Sequence, residues 1–569
     1  MIRFLLTRFT TNNVLLEHIG GLYMSICIPI VASQHSSSSI VLLSAPTMGI
    51  PGLWKQLKTI EQKISLHDLA VKTGFIGNAT GKRAFCVGID ASSWMCRACA
   101  LPGYTESPEL VTLFARCSRL FGLPFIPVFI FDGPARPSIK RGKVVKGDDH
   151  WLTASFQSMI EGFGFYWFTA PGEAEATLSA MTSFGIPCRI DAILTDDSDV
   201  FVFGAEVVLR IRSEDNENYS ASRYSAFDIA QQLNLSRPDF ILIALLAGGD
   251  YSDGLEGCGI AIAYGLAQAG LGQQLIHGLN VLAGADPEAF LSQWRVAVQR
   301  ELQMNSSGKL PHRYPSLAAK IPDDFPDLRV INLYLHPTIA ELECGPPIAL
   351  SLNAPRLGAL ARFAEVHFAW GDSVGILTHF ANSLFGGLVV RGLVDAALTL
   401  DNSSPFGLTP SIIASVVGER AHRSTGFLAE LRLVPDIHPD FLTVALDAIK
   451  GQRDPTDGAK AAVAEWIKTR LPKIRAWVPR SMVELVYPSL VLDYVSAKEM
   501  KKTRKKPNSK CHSATFKGDK VKSKSSQGSM PTPRNLKHTA TLPKRYSVRN
   551  LTHHGREVLE LVSDSDGEF

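Results

Sequence analysis

The sequence predicts an α/β protein in which a mostly parallel β-sheet is flanked by helices. From Met48 to about Gly270, short apolar runs typical of strands alternate with amphipathic stretches typical of helices. Three of those runs end in aspartate, as expected where strands of a parallel sheet finish together. With 569 residues, the chain is also long enough for two or three domains of roughly 150 residues each.

The three aspartate-ended strands predict a site at one edge of the sheet. Phe85–Ile89 leads into Asp90, Val128–Phe131 into Asp132, and Ala192–Thr195 into a loop that contains Asp197 and Asp199. Ligands of open α/β sheets bind at the carboxyl ends of the strands. In an extended loop, residues two apart face the same side, so we expect Asp197 and Asp199 to reach one cation.

Two further segments carry acids that fit the same edge. Glu173 and Glu175 follow the Pro171-Gly172 turn, and residues two apart in a regular helix point in different directions. We therefore place this pair at the start of a helix. Asp250 follows an apolar helix, Phe240–Ala247, which is stopped by two glycines.

Together these residues form a set of seven carboxylates: Asp90, Asp132, Glu173, Glu175, Asp197, Asp199 and Asp250. Any one of them alone would be explained as well by a helix cap, a turn or a surface ion pair. Seven in one cleft could not all stay ionised without cations, and oxygen ligands favour Mg²⁺ or Mn²⁺ over zinc. Two such ions, ~3.5–4 Å apart, are typical of phosphodiester hydrolysis.

A run of basic residues follows Asp132 and predicts contacts to phosphate. Its members are Arg136, Lys140, Arg141, Lys143 and Lys146. The alternative is a basic helix that is simply solvated. We interpret the neighbouring His150 and Trp151 as packing residues rather than as a platform for stacked bases.

Six sequence blocks, in order, resemble the XPG-type nuclease superfamily. They are MGIPGLW, VGIDAS, FIFDGPARPSIKR, APGEAEA, LTDDSDVFVFG and LLAGGDY, between Met48 and about Gly270. The resemblance implies a Rossmann/PIN-like fold with a helical arch and a helix-two-turn-helix. It also implies that the seven acids bind two Mg²⁺ ions, for which Mn²⁺ could substitute. Lys140 and Arg141 would then orient the scissile phosphate from the arch.

Within that superfamily the sequence resembles the fungal-like GEN-type Holliday junction resolvases. Trp54 and Gly172 fit this branch. In the helix-two-turn-helix block, Gly254–Ala263, the resemblance implies a K⁺ site and a backbone that approaches duplex DNA at Gly257 and Gly259.

The function implied is a nuclear Mg²⁺-dependent endonuclease that cuts Holliday junctions, replication forks and 5′ flaps in repair and recombination. Because a four-way junction needs two incisions, two copies are expected to dimerise on it. The alternatives are a flap endonuclease or 5′ exonuclease, a catalytically inactive DNA-binding scaffold, and a PIN-like ribonuclease.

Five regions are predicted along the chain. Residues 1–47 are an extension unlike the family, either a transit peptide or a mis-annotated start, and residues 48–310 are the nuclease. A helical extension or linker, 311–425, precedes a possible chromodomain-like α+β module, 426–499. In that module, LAELRLV and MVELVY are strand-like, and Ala459–Leu471 is helical. Residues 500–569 are expected to be a disordered basic tail.

Charge separates the tail from the rest of the chain. Residues 501–569 hold 16 Lys and Arg against 6 Asp and Glu, whereas the other residues hold 42 against 48. The basic cluster 501–506 is a candidate nuclear-import or DNA-contacting signal. The terminal VLELVSDSDGEF resembles a motif that binds SUMO or SUMOylated proteins by strand addition.

Two further classes of protein are disfavoured by the sequence. No apolar run reaches the ~18 residues that a membrane-spanning helix needs, so no membrane partner is expected. Nine scattered cysteines, an odd number with no repeating spacing, argue against a disulfide framework and for a reducing compartment.

Overall fold

A computed structural model describes most of the chain from Gly49 onwards. The described residues are 49–100, 106–144, 149–183, 188–211, 220–281, 287–339, 350–402, 412–436, 440–454, 458–504, 546–553 and 556–563. The predicted extension 1–47 lies outside them, as do Lys146 and most of the tail.

The strands fall into one large sheet and three small ones. In chain order they are β1 Gln62–Ser65, β2 Phe85–Asp90, β3 Phe125–Phe131, β4 Ile139–Lys140, β5 Lys143–Val144, β6 Tyr166–Thr169, β7 Ala192–Leu194, β8 Val207–Arg210, β9 Ser220–Ser225, β10 Ile413–Ala421, β11 Ala429–Pro435, β12 Ala476–Pro479, β13 Tyr546–His553 and β14 Arg556–Ser563.

The large sheet has the order β1-β9-β8-β7-β2-β3-β6. Its five strands from β8 to β6 are parallel, whereas β9 and β1 are added antiparallel at one edge. The predicted mostly parallel sheet is confirmed. Strands β7, β2 and β3 are neighbours, so their carboxyl ends lie side by side.

Helices cover this sheet and continue beyond it. In chain order they are α1 Leu53–Gln56, α2 Leu66–Asp68, α3 Ala91–Cys99, α4 Pro108–Phe121, α5 Thr153–Gly162, α6 Ala174–Met181, α7 Ala226–Leu233, α8 Arg237–Ala247, α9 Ile260–Gln268, α10 Leu271–Val281, α11 Pro287–Met304, α12 Pro315–Ala318, α13 Leu328–Leu335, α14 Leu357–His367, α15 Ser373–Ser383, α16 Phe385–Asn402, α17 Asp440–Ala448, α18 Ala459–Thr469, α19 Arg480–Val486 and α20 Pro488–Arg504.

Alternation along the buried strands builds a core on each face of the sheet. In β3, Ile126, Val128 and Ile130 point into a core shared with α6 and α8. Phe129 and Phe131 point into the opposite core, which includes α3, α4 and α5. Because both faces are covered, the central strands are apolar throughout, as parallel strands usually are.

A third core joins α16 to the later three-stranded antiparallel sheet, β10-β11-β12. The predicted helix Ala459–Leu471 corresponds to α18. In contrast, the MVELVY run is not a strand but part of α19, where Met482, Val483 and Val486 form a helical stripe on this core. The chain reaches the sheet instead through β12, just before that run.

The basic segment after Asp132 also differs from the prediction of a helical arch. Residues 139–144 form the hairpin β4–β5, whose turn consists of two residues, Arg141 at φ 51° and Gly142 at φ 67°. Two consecutive left-handed residues make a tight hairpin turn and cannot continue an α-helix. The next described helix in the sequence, α5, begins at Thr153.

The end of the chain likewise has more regular structure than the expected disordered tail. Helix α20 continues past residue 500 to Arg504, and β13 pairs with β14 within the second compact unit, Arg504–Phe569.

No single described helix is long and apolar enough to cross a membrane; α15 and α16, bent by 52° at the break between them, pass that test only as a pair.

Candidate active site

Asp90 and Asp132 stand at the ends of the neighbouring strands β2 and β3. Asp90 caps α3, accepting hydrogen bonds from the backbone N–H groups of Ser92 at 2.8 Å and Ser93 at 3.2 Å. Asp132 accepts a bond from Ser92 Oγ at 2.9 Å and one from the Ala174 N–H at 3.0 Å. The Ala174 bond ties β3 to the start of α6.

Glu173 and Glu175 stand at the start of α6, where the sequence predicted them. Glu173 is the N-cap residue, Glu175 lies in the first turn, and both are buried. The chain that follows β3 passes close to the segment before α6, since a Cβ atom on Gly133 would lie 1.7 Å from the Ala170 carbonyl oxygen. The bond from Gly133 N–H to Gly172 O, 2.7 Å, fixes this contact.

The loop with Asp197 and Asp199 is turned, not extended as predicted. The Asp197 carboxylate accepts a bond from the Asp199 N–H at 2.9 Å, and Asp199 begins a short 3₁₀ helix. Aspartate often folds the chain back this way by bonding its own backbone. The first described residues hold the loop, because the Ile50 N–H donates to Ser198 Oγ at 2.9 Å.

Asp250 follows α8 and meets the hairpin β4–β5. Arg141 donates to its carbonyl oxygen from the backbone N–H, 2.8 Å, and to its Oδ1 from Nε, 3.0 Å. Lys140 Nζ forms ion pairs with Asp250, at 3.1 Å, and with Glu173. The hairpin therefore places two cationic groups directly on the acids.

Burial and mutual repulsion raise the pKa values of the acids at the centre. The pKa of Asp90 is raised to about 8, mainly by burial and in addition by the negative charges of Asp132 and Asp197. Burial and Asp250 raise the pKa of Asp197 to about 6. The pKa values of Glu175 and Asp199 are raised well above the usual range by burial and by Asp90 and Asp197 respectively.

The same charges act on Lys140 in the opposite sense. Its burial alone would lower the pKa, but Glu175, Glu173 and Asp250 together raise it, so the ammonium group stays charged. These influences link all seven predicted acids, since each acts electrostatically on at least one other member of the set. The acid set is thus one electrostatic unit.

Several buried carboxylate oxygens lack a hydrogen-bond partner. Both side-chain oxygens of Asp199 and Oε2 of Glu175 are in this condition. An unsatisfied buried carboxylate is costly, and a hard divalent cation would satisfy it with the oxygen donors it prefers. The residues present therefore fit Mg²⁺ or Mn²⁺.

In the described ranges, no three His, Cys, Asp or Glu side chains converge closely enough to hold an ion as they stand. Lys140 gives a physical reason, because its ammonium group already lies between Glu173 and Asp250. The unsatisfied oxygens of Asp199 and Glu175 are nevertheless the donors that such an ion prefers, and a bound cation would draw the carboxylates together.

The remaining predicted residues lie at varied distances from this cluster. Arg136 Nη1 lies 3.8 Å from Asp132, Lys143 is exposed on the hairpin, and Lys146 lies outside the described residues. Gly257 and Gly259 are in the turn between α8 and α9. Of these two, only Gly257 needs a left-handed backbone, at φ 84°.

Sequence reasoning missed two contributions to the site. Ser92 links Asp132 to the α3 start, and nothing but its position two residues after Asp90 could have indicated this. Gly49 packs against the Asp197 loop, where a Cβ atom would lie 2.4 Å from Asp197 Oδ1. Its carbonyl oxygen also accepts a bond from Arg141 Nη2 at 2.9 Å.

Comparison with known proteins finds a family model that matches a large part of this site. Residues 164–250 match the XPG I-region. This range contains five of the seven acids, and the fifth, Asp250, is its last residue. Flap endonuclease GEN homolog 1 of Mus musculus is 29% identical over 256 residues, which cover 41% of this chain and 26% of that protein. The Homo sapiens homologue is 28% identical with the same coverage. The aligned part thus spans about a quarter of these relatives.

Solved structures extend the similarity to most of the fold. A Holliday junction-resolving enzyme GEN1 in complex with product DNA and Mg²⁺ is 28% identical with a TM-score of 0.58, covering 79% of this chain and all of that one. The structure of a junction-resolving GEN-1 bound to potassium is 26% identical to this chain and has a TM-score of 0.60. It covers the same shares of the two chains. The chain therefore carries an XPG I-region on a fold similar to that of GEN-type enzymes.

Proposed function

We propose that this protein is a Mg²⁺-dependent, structure-specific endonuclease that hydrolyses phosphodiester bonds in branched DNA. The observation that supports the proposal is that seven carboxylates from separate chain segments interact electrostatically, that five of them are buried, and that some of their oxygens have no hydrogen-bond partner. Such a cluster has no evident structural role, because its mutual repulsion destabilises the folded chain in the absence of cations.

We propose that the seven acids hold two cations. Asp90, Asp132, Glu173, Glu175, Asp197, Asp199 and Asp250 would be the metal ligands. When bound, the ions would supply activation of water and stabilisation of the charge that develops on the phosphate. Ser92 would orient Asp132 through its 2.9 Å bond, and the Asp199 N–H would orient Asp197.

Lys140 and Arg141 are proposed to orient the scissile phosphate. Each now neutralises Asp250, and a phosphate bound beside the acids would offer them a second anionic partner. Arg136, Lys143 and Lys146 would add contacts to the backbone away from the cleaved bond, contributing affinity that does not depend on sequence.

The turn between α8 and α9 is proposed to bind duplex DNA and a K⁺ ion. Among the described residues, only Leu317 would come within 4 Å of a Cβ atom added to Gly257, and none would come that close to one added to Gly259. A DNA backbone could therefore approach the peptide groups closely. A similar junction-resolving GEN-1 is described as binding potassium, which supports the proposal of a K⁺ ion.

The proposed substrates are Holliday junctions, replication forks and 5′ flaps. The similar enzymes are described as Holliday junction-resolving and as flap endonucleases. We further propose dimerisation on four-way junctions, action in the nucleus, and binding of SUMO through the terminal segment. The regions 48–310, 311–425, 426–499 and 500–569 remain our proposed division, with 426–499 as a chromodomain-like module.

The decisive experiment compares cleavage by the wild type and by Asp199→Asn. Labelled four-way junctions, 5′ flaps and linear duplexes are incubated with the protein in Mg²⁺ and in EDTA. We expect Mg²⁺-dependent cutting of the branched substrates, and a loss of roughly 100-fold or more in the variant, because a ligand oxygen is replaced by an amide nitrogen.

Asp447, which is exposed on α17 and belongs to no proposed site, provides a control, and Asp447→Asn should cut as the wild type does. Symmetric nicks across the junction favour a resolvase, whereas cutting confined to flaps favours a flap endonuclease. Equal cutting by Asp199→Asn and the wild type would refute the proposed chemistry, and binding without any cutting by the wild type would favour an inactive scaffold.

A further inference from the structure

A cavity of about 460 Å³ opens beside the acid cluster, on the side of Asp132 that faces α5. Its lining includes Met95, Phe131, Asp132, Arg136, His150 and Trp151. This volume lies inside the ~300–1,000 Å³ range of ligand-binding pockets. The pocket has an apolar floor, a charged end at Asp132 and Arg136, and an aromatic rim.

Trp151 forms that rim and is 67% exposed, contrary to the packing role expected from the sequence. A single exposed aromatic side chain is common on protein surfaces, so the exposure of Trp151 matters here because this residue also lines the cavity beside Asp132. The His150 ring lies against it, with centroids 5.7 Å apart and an angle of 31° between the planes.

The exposure of Trp151 does not come from a loosely held segment. The next residue, Leu152, is fully buried, and its N–H donates to His150 Nδ1 at 3.3 Å. The Thr153 N–H donates to the His150 carbonyl oxygen at 2.8 Å, at the start of α5. Trp151 is therefore presented by an anchored turn, and its ring is available at a fixed place.

The charged end of the cavity is continuous with the proposed cleavage site. Asp132 is one of the seven acids, and Arg136 Nη1 lies 3.8 Å from its Oδ2. Arg136 is the basic group of the lining, whereas Asp149 is acidic and exposed at the same rim as Trp151. A phosphate would thus be favoured at the Arg136 end and disfavoured at the Trp151 end, where an uncharged base fits better.

We propose that this cavity binds one unpaired nucleotide next to the scissile phosphate, with its base stacked on Trp151 and its phosphate beside Arg136. The inference rests on the proposed function, because it takes the acid cluster as the place of cleavage. Stacking on an aromatic side chain requires only the face of a base, so this pocket would select unpaired nucleotides without reading their sequence.

The test uses the full chain and a 5′-flap DNA with 2-aminopurine at the unpaired position beside the branch. Binding is followed in EDTA by the quenching of 2-aminopurine fluorescence, which reports stacking independently of cleavage. Trp151→Ala should abolish the quenching and weaken flap binding by about 5- to 100-fold. Trp151→Phe should keep most of both, since a smaller aromatic ring still stacks.

Phe227→Ala is the matched control, because Phe227 is 71% exposed on α7 and does not line the cavity. It should leave quenching and affinity unchanged, and all variants should keep the wild-type melting temperature. A Trp151→Ala variant that quenches and binds like the wild type overturns the inference even if the wild type cuts DNA with Mg²⁺. Stacking by a wild type that does not cut would instead support the pocket and count against the proposed function.

Discussion

At the scale of single residues, Lys140 neutralises part of the charge of the acid cluster. Its Nζ contacts Glu173 and Asp250, and these acids with Glu175 raise its pKa. The ammonium group occupies a position between two proposed metal ligands. A cation that binds there must displace it, so the free energy of metal binding includes the loss of these ion pairs.

Replacing Lys140 by methionine should therefore separate metal binding from catalysis. In Lys140→Met we expect Mg²⁺ or Mn²⁺ to bind several-fold more tightly in the absence of DNA, because no ammonium group competes for Glu173 and Asp250. The metal-free protein should be less stable by about 1–3 kcal/mol, since buried acids lose their partner. Calorimetric titration with Mn²⁺ and denaturant unfolding in EDTA measure the two effects.

Cleavage by Lys140→Met should nevertheless fall, because the proposed phosphate contact is lost. Lys143→Met serves as the control, since Lys143 lies on the same hairpin but is exposed. That variant should bind Mn²⁺ as the wild type does. Weaker Mn²⁺ binding in Lys140→Met would contradict the competition between the ammonium group and the ion.

At the scale of elements, the segment that holds the Asp197 loop depends on a glycine. Gly49 has φ 76°, and a Cβ atom there would lie 2.4 Å from both Asp197 Oδ1 and Ser198 Oγ. Gly49→Ala combines a left-handed backbone strain of ~1–2 kcal/mol with a displacement of this loop. We expect lower stability and Mn²⁺ binding weakened by roughly tenfold, since ligand positions tolerate little movement.

Gly270→Ala is the control that separates backbone strain from an effect on the acid cluster. Gly270 has φ 82° just after α9, and no described atom lies within 4 Å of its added Cβ. Gly270→Ala should therefore lose similar stability from backbone strain but keep wild-type Mn²⁺ affinity. If both variants bind Mn²⁺ equally well, Gly49 does not position the loop.

At the scale of elements, the sequence predicted some features correctly and others not. Acids that follow apolar runs were found because strand length, glycine stops and turn residues are local signals. An arch was expected after Asp132 because the family resemblance implies one, and the basic run itself reveals charge but not backbone geometry. The MVELVY run was predicted as a strand because a short apolar run fits either period, and only its packing on the third core makes it helical.

Contacts between distant segments could not be predicted from such local signals. The Lys140 ion pairs and the bonds of Gly49 and Ser92 join residues that are far apart in sequence or have no pattern of their own. Trp151 was assigned to packing because aromatic residues beside helices are usually buried, and its exposure depends on how the turn before α5 is held.

At the scale of the whole molecule, the acid cluster should make stability depend on pH in a characteristic sense. Asp residues in the unfolded chain have pKa values of ~3.9, whereas folding raises the pKa of Asp90 to about 8 and of Asp197 to about 6. Between about pH 4 and pH 8 the folded chain therefore binds more protons than the unfolded chain. The free energy of unfolding must then fall as pH rises through this range.

In EDTA we accordingly expect the melting temperature to decrease by several degrees from pH 5.5 to pH 8, with Asp90 contributing about 3 kcal/mol. Asp90→Asn should reduce this slope, whereas Asp447→Asn, at an exposed position on α17, should leave it unchanged. Mg²⁺ should remove the decrease, because the ion binds the deprotonated carboxylates and its affinity rises with pH. Differential scanning fluorimetry across this range, with and without Mg²⁺, measures both slopes. A wild-type melting temperature in EDTA that rises steadily up to pH 8, equally in Asp90→Asn, would mean that the acids do not share one buried site.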